Sequence, residues 1–120
     1  KQGLNKVNWY KKLYLGDNVK KKAKRIIRRV EGGKPVGDIY LITLASNPEN
    51  LLDIFRANML LQKPLARMCP LIVGIAEGYG EAVELVRRLV EETWRCRRDT
   101  DVRSYLEDLP KEDAAGRTGD

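Results

Sequence analysis

Asp38-Ile39-Tyr40-Leu41-Ile42-Thr43-Leu44-Ala45 is a near-continuous apolar run rich in β-forming residues. A strand with one wet face alternates apolar and polar residues, because successive side chains point to opposite sides. This run does not alternate, so it predicts a strand covered on both faces, as in parallel sheets. Pro70-Leu71-Ile72-Val73-Gly74-Ile75-Ala76 repeats the pattern. Two such strands need helices above and below them.

Downstream of the first run, Ser46-Asn47-Pro48-Glu49 carries helix-start signals. Ser46 and Glu49 have capping-box spacing, and Asn47 before Pro48 suits an N-cap followed by proline. Leu51, Leu52, Ile54 and Phe55 then make the buried side of a predicted helix. Asp53 falls in its first turn, where a carboxylate meets the helix dipole favourably. A short helical piece is predicted from Asn58 to Lys63, ending where Pro64 disturbs it. After the second strand, Gly78-Tyr79-Gly80 turns into a helix from Glu81 to Cys96. Its apolar face is Ala82, Val83, Leu85, Val86, Leu89, Val90 and Trp94. Glu84 with Arg88, and Glu91 with Arg95, have the spacing of ion pairs on the wet side. Asp99 to Leu109 predicts a last short helix, and residues 110–120 read as a disordered polar tail.

Upstream, Val7, Trp9, Lys11, Leu13 and Leu15 lie on one side at period two, with the lysine interrupting. This predicts a short edge strand or a docked irregular arm. Gly16-Asp17-Asn18 supplies a helix N-cap. Val19, Ala23, Ile26, Ile27 and Val30 then fall within about 100° of arc on a helix. Gly32-Gly33 and Pro35 stop it. The chain is thus read as a single α/β domain over residues 1–109. The expected fold is an open three-layer β-α-β unit with two or three mostly parallel strands and a basic N-terminal helix. So narrow a sheet needs residues 9–15 as a further strand, or a second subunit, so a homodimer is expected where the arm does not pair.

The strings Trp9-Tyr10-Lys11-Lys12-Leu13-Tyr14, Ile42-Thr43-Leu44-Ala45-Ser46-Asn47-Pro48-Glu49-Asn50-Leu51-Leu52-Asp53-Ile54 and Ile72-Val73-Gly74-Ile75-Ala76 resemble a family of short hypothetical proteins of clostridial bacteria. The resemblance covers roughly residues 7–106. It implies a bacterial, cytosolic setting and lends no activity, because the family has no assigned function.

Charge is the most informative feature of composition. The net charge of +6 divides unevenly. Residues 1–34 hold twelve Lys/Arg against two acids, a balance of +10, and residues 35–120 carry −4. Lys20, Lys21, Lys22, Lys24, Arg25, Arg28 and Arg29 occupy the circumference of the first helix left free by its apolar stripe. Such a field gathers phosphates, with affinity that falls as salt rises. Trp9, Tyr10 and Tyr14 could stack on unpaired bases if the arm lay alongside. The same face would equally suit an acidic protein partner, or simply be solvated. No helix-turn-helix, RRM or zinc-finger signature is present.

A second candidate is a rim at the strand carboxyl ends, where open α/β sheets bind ligands. It would join Ser46, Asn47 and Asn50 to Gly78, Tyr79 and Gly80, with amides at two helix starts facing an anion. Glu77 and Glu81 would oppose one there, and turn and capping chemistry accounts for these residues without any ligand. Catalysis is poorly supported. The chain has no histidine, and its acids near strand ends are Asp38, Asp53, Glu77 and Glu81, with Asp38 expected at the opposite edge from the rest. No cofactor motif is found. Cys69 and Cys96 lack metal-ligand spacing and suit a reducing, cytoplasmic compartment. The longest apolar run, Leu71 to Ala76, is too short to span a bilayer, and no signal peptide is read. The chain reads as a small binding or adaptor protein for nucleic acid or an acidic partner, with a ligand-binding domain or oligomeric scaffold as alternatives.

Overall fold

The computed structural model of the chain describes residues 7–45 and 51–109. The elements run β1 (Trp9–Leu15), a 3-10 turn (Lys20–Lys22), α1 (Ala23–Glu31), β2 (Ile39–Leu44) and β3 (Leu52–Arg56). A second 3-10 turn (Ala57–Leu61) leads into α2 (Lys63–Arg67), then β4 (Ile72–Glu77) and α3 (Tyr79–Arg97). A final helix, α4, occupies residues 102–109.

Four strands form one sheet in the order β1-β4-β2-β3. β1 runs parallel to β4, whereas β2 is antiparallel to both β4 and β3. The sheet is therefore mixed, which corrects the expectation of two or three mostly parallel strands. The cause is β3. Leu52, Ile54 and Phe55 lie on a strand rather than a helix, with Ile42 opposite Ile54 and Leu44 opposite Leu52. Turning back at β3 reverses the chain. The crossover through α2 then delivers β4 parallel to β3 and antiparallel to β2. The expected capping signals at 46–50 lie outside the described residues.

The continuous apolar runs do mark strands covered on both sides. Ile42 and Leu44 face a core completed by Ala82, Leu85 and Leu89 of α3 and by Val102, Tyr105 and Leu106 of α4. Ile39 and Leu41 face the other core, with Val19, Ala23, Ile26 and Val30 from the α1 segment and Leu60 and Ala66 from the α2 segment. Leu41, Ile42, Ile72, Ile75, Leu85 and Leu89 are fully buried, and each such side chain contributes roughly 1.5–3 kcal/mol relative to exposure. Val73 is an extra residue opposite the Ile42–Thr43 step of β2, a bulge that resets which β4 side chains face which layer.

β1 settles the alternatives for the N-terminal segment: it is an edge strand. Its register jumps between Trp9 and Tyr14, so only its ends pair regularly with β4. Lys11 is exposed there, as suits an edge that must not recruit another chain. With β1 in place, the sheet does not need a second subunit along β4.

Local chemistry departs from expectation at several ends. No side-chain cap starts the first helix, and Val19 N–H instead donates to the Gly16 carbonyl at 3.0 Å. Pro64 opens α2 instead of ending a helix, because proline's missing N–H is harmless in a first turn. On α3 the buried position near the C-terminus is Thr93, while Trp94 and Val83 are exposed. Thr93 tolerates burial by donating its hydroxyl to the Leu89 carbonyl at 2.8 Å. The wet-face ion pairs centre on Arg87, which reaches Glu84 at 2.9 Å and Glu91 at 2.5 Å.

Because β2 is packed from both sides, truncating it removes contacts that neither layer can restore. Ile42→Ala is expected to lower stability by about 2–5 kcal/mol. Val83→Ala, on the exposed side of α3, is expected to stay within about 0.5 kcal/mol. Urea denaturation of the two variants checks the contrast.

Candidate functional site: the outer face of the first helix

α1 lays Ala23, Ile26 and Val30 into the core, with Ile27 half-buried, so its cations point outward. They are not equivalent. Lys20 pairs with Asp17 at 3.4 Å and Lys22 with Glu77 at 2.7 Å. The third acid near the helix, Glu31, accepts a hydrogen bond from Trp9 Nε1 at 2.9 Å. Compensation is thus confined to the first turn. Lys21, Lys24, Arg25, Arg28 and Arg29 are exposed, and none of them forms an ion pair among the described residues.

The C-terminal half of α1 becomes concave where the chain folds back. Gly33 adopts φ +73°, a conformation that glycine reaches without strain. The turn brings Lys34 N–H to the Arg29 carbonyl at 2.9 Å and the Pro35 carbonyl to Arg29 Nε at 2.8 Å. One hollow of about 330 Å³ is lined by Arg25, Arg28, Arg29 and Lys34. A neighbouring hollow of about 260 Å³ shares Arg25 and Arg29 and adds Ile26, Pro35 and Val36. No acid lines either one. The helix C-terminus carries partial negative charge, which favours this concentration of cations. Lys34 lies beyond the helix in the sequence, and only the turn at Gly33 brings it beside Arg29. Its sequence signal is the basic balance of residues 1–34.

Of the aromatic residues of β1, Trp9 packs on the α1 side and bonds Glu31, whereas Tyr10 and Tyr14 do not join this surface. Tyr10 is buried on the opposite face of the sheet and donates to the Leu106 carbonyl at 2.5 Å. Tyr14 donates to Glu92 Oε2 at 2.6 Å, and Tyr105 donates to the same oxygen at 2.5 Å. Tyr10 and Tyr14 are thus not placed to stack beside the cations of α1.

Of the expected rim, Gly78, Tyr79 and Gly80 are among the described residues. Leu44, where β2 ends, lies beside Leu71, whereas β4 ends at Glu77 beside Ile39. β2 and β4 thus finish at opposite ends of the sheet. Residues 46–50 themselves are outside the described residues. Asp38 sits with Gly78, its carbonyl accepting from Gly78 N–H at 2.8 Å, and not at the opposite edge as expected. Tyr79 is exposed and meets Tyr40 edge-on at 5.7 Å.

A different crevice lies between the carboxyl ends of β1 and β4. These neighbours are parallel, and their following helices cover opposite faces, which makes the crevice a topological switch point. The Glu81 carboxylate fills it. It accepts from Glu77 N–H at 2.6 Å and from Asn18 N–H and Nδ2 at 3.1 Å each. Gly16 is matched to this arrangement, since a Cβ there would collide with Glu81.

No group of three or more His, Cys, Asp or Glu among the described residues is arranged to hold a metal ion. None of the helices described is long and apolar enough to cross a membrane. Compared with protein-family models, curated proteins and solved structures, the chain matches none.

The tyrosine cluster has a pH signature. Burial first, and Glu92 second, push the Tyr10 phenol up to about 12. Tyr14 and Tyr105 are raised further, by burial and then by hydrogen bonding to Glu92. The folded chain therefore keeps phenolic protons that the unfolded chain releases near pH 10.0. This contribution to stability is complete below about pH 10 and is lost as pH rises through the folded values. Denaturation midpoints are expected to fall from about pH 10 upward, and the double variant Tyr14→Phe, Tyr105→Phe is expected to flatten that fall.

Proposed function

We propose that the chain is a non-enzymatic binding protein that engages the phosphate backbone of nucleic acid through the outer face of α1. One observation carries the reading: Arg25, Arg28, Arg29 and Lys34 surround a hollow that no acid lines, while the acids nearby are engaged elsewhere. Arginine suits this role because its planar fork pairs two phosphate oxygens at once. Arg29 is held by the Pro35 carbonyl, so part of the ordering precedes binding. With Tyr10 and Tyr14 on the other face of the sheet and the Trp9 indole N–H bound to Glu31, recognition is of backbone charge more than of stacked bases. A cytoplasmic, bacterial setting belongs to the same reading through the family resemblance. An acidic protein or a second copy of the chain would be the partner if nucleic acid is not bound.

Fluorescence anisotropy with short duplex and single-stranded probes tests this. Four phosphate contacts give an expected log–log salt slope of about −3.6 on duplex DNA. The triple variant Arg25→Glu, Arg28→Glu, Arg29→Glu is expected to abolish binding. Lys11→Glu, Arg95→Glu, Arg98→Glu, with the same change of charge on other surfaces, is expected to retain most of it. Equal loss in both variants, or no binding by the parent protein at low salt, rules the proposal out.

A further inference from the structure

A separate cavity of about 230 Å³ lies between the β2–β3 pair and the segment that carries α2. Phe55, Leu60, Leu65 and Pro70 form apolar walls. Met59 and Met68, 43% and 77% exposed, flank its opening; methionine adapts readily to ligands of different shape. The cavity shares no lining residue with the basic hollows.

Three polar groups break the apolar lining. Thr43 is wholly buried, and its Oγ1 has no hydrogen-bond partner among the described residues. Native interiors keep few such groups. Valine would fill the same volume on a central strand without an orphaned hydroxyl, so stability alone does not account for threonine here. Asp53 is directly opposite Thr43 across the β2–β3 ladder, so both side chains rise from the same face. It is half-buried and makes no ion pair among the described residues. Cys69 Sγ approaches the Pro70 carbonyl at 3.3 Å, and burial pushes its thiol up to about 11, so it is neutral at ordinary pH.

The donor and acceptor inventory defines the occupant. A group touching both Asp53 and Thr43 must donate to a carboxylate and also engage a hydroxyl. An ammonium, with three donors and a positive charge, does both. A carboxylate or phosphate would face Asp53 with like charge. An apolar cavity of about 150 Å³ holds benzene, so this one accommodates roughly nine non-hydrogen atoms. We propose that the cavity binds a small primary amine with an apolar body, its ammonium held between Asp53 and Thr43 and its body among Phe55, Leu60 and Leu65.

Phenethylamine, phenethyl alcohol and phenylacetate, similar in size and different in charge, are the probes. Phenethylamine is expected to raise Tm by about 5 °C at ten times its Kd. The alcohol is expected to bind roughly tenfold more weakly, and phenylacetate not at all. Asp53→Asn should remove the preference for amine over alcohol. Thr43→Val, which preserves shape and keeps the chain folded, should weaken both. Phenethylamine should also protect Cys69 from maleimide while leaving the exposed Cys96 reactive. The proposal is overturned if the amine gives no thermal shift at millimolar concentration, or if the three probes bind alike. Retained preference in Asp53→Asn, or an unprotected Cys69, also overturns it.

Discussion

Most of this fold depends on one constraint: β2 and β4 have no face or edge that can meet water. Each is hydrogen-bonded on both sides, and Leu41, Ile42, Ile72 and Ile75 are wholly excluded from solvent. Backbone groups inside such a pair must find partners within the sheet, and side chains above and below must meet other apolar surface. β1 and β3 answer the first demand. The helix pairs α1/α2 and α3/α4 answer the second. The direction of β4 follows from where β3 turns, and that direction decides which loops share an end of the sheet.

The same geometry sorts the charges. Asp17 and Glu77 emerge at the carboxyl ends of β1 and β4, next to the first turn of the basic segment, and they neutralise its lysines. The cations on the far half of α1 extend beyond their reach, beside the loop through Lys34 and Pro35. A uniform stripe of cations in the sequence thus becomes a graded one in space. Exposed ion pairs of this kind contribute little to stability. Their effect is to set where an unpaired positive field begins.

Elements whose signal is local were legible beforehand. The unbroken runs through Ile39–Leu44 and Ile72–Ala76 marked the buried strands, and the spacing of Ala23, Ile26 and Val30 marked the inner side of α1. β3 was not legible. Leu52, Ile54 and Phe55 suit one side of a helix, yet in a strand Leu52 and Ile54 face the α3 layer while Phe55 faces the α1 layer. What decides between them is pairing with Tyr40 to Leu44, a partner that no short window contains. The expected rim assumed parallel strands whose carboxyl ends share one side, whereas β2 and β4 are antiparallel. The basic surface was visible as a surplus of charge, but its centre was not, because the contacts that silence Lys20 and Lys22 are tertiary or lie at the turn. Thr43 and Asp53 carried no signal until the ladder set them side by side.

Glu81 has a consequence for how this scaffold meets ligands. A carboxylate attached to the chain competes with a free anion as though it were present at a local concentration of millimolar or more. Any metabolite reaching for the amides of Glu77 and Asn18 must displace that carboxylate and approach a negative charge. The crevice most often used by open α/β sheets is in this protein held by one of its own side chains. The open hollows of this protein lie elsewhere, on the far side of α1 and between the β2–β3 pair and α2.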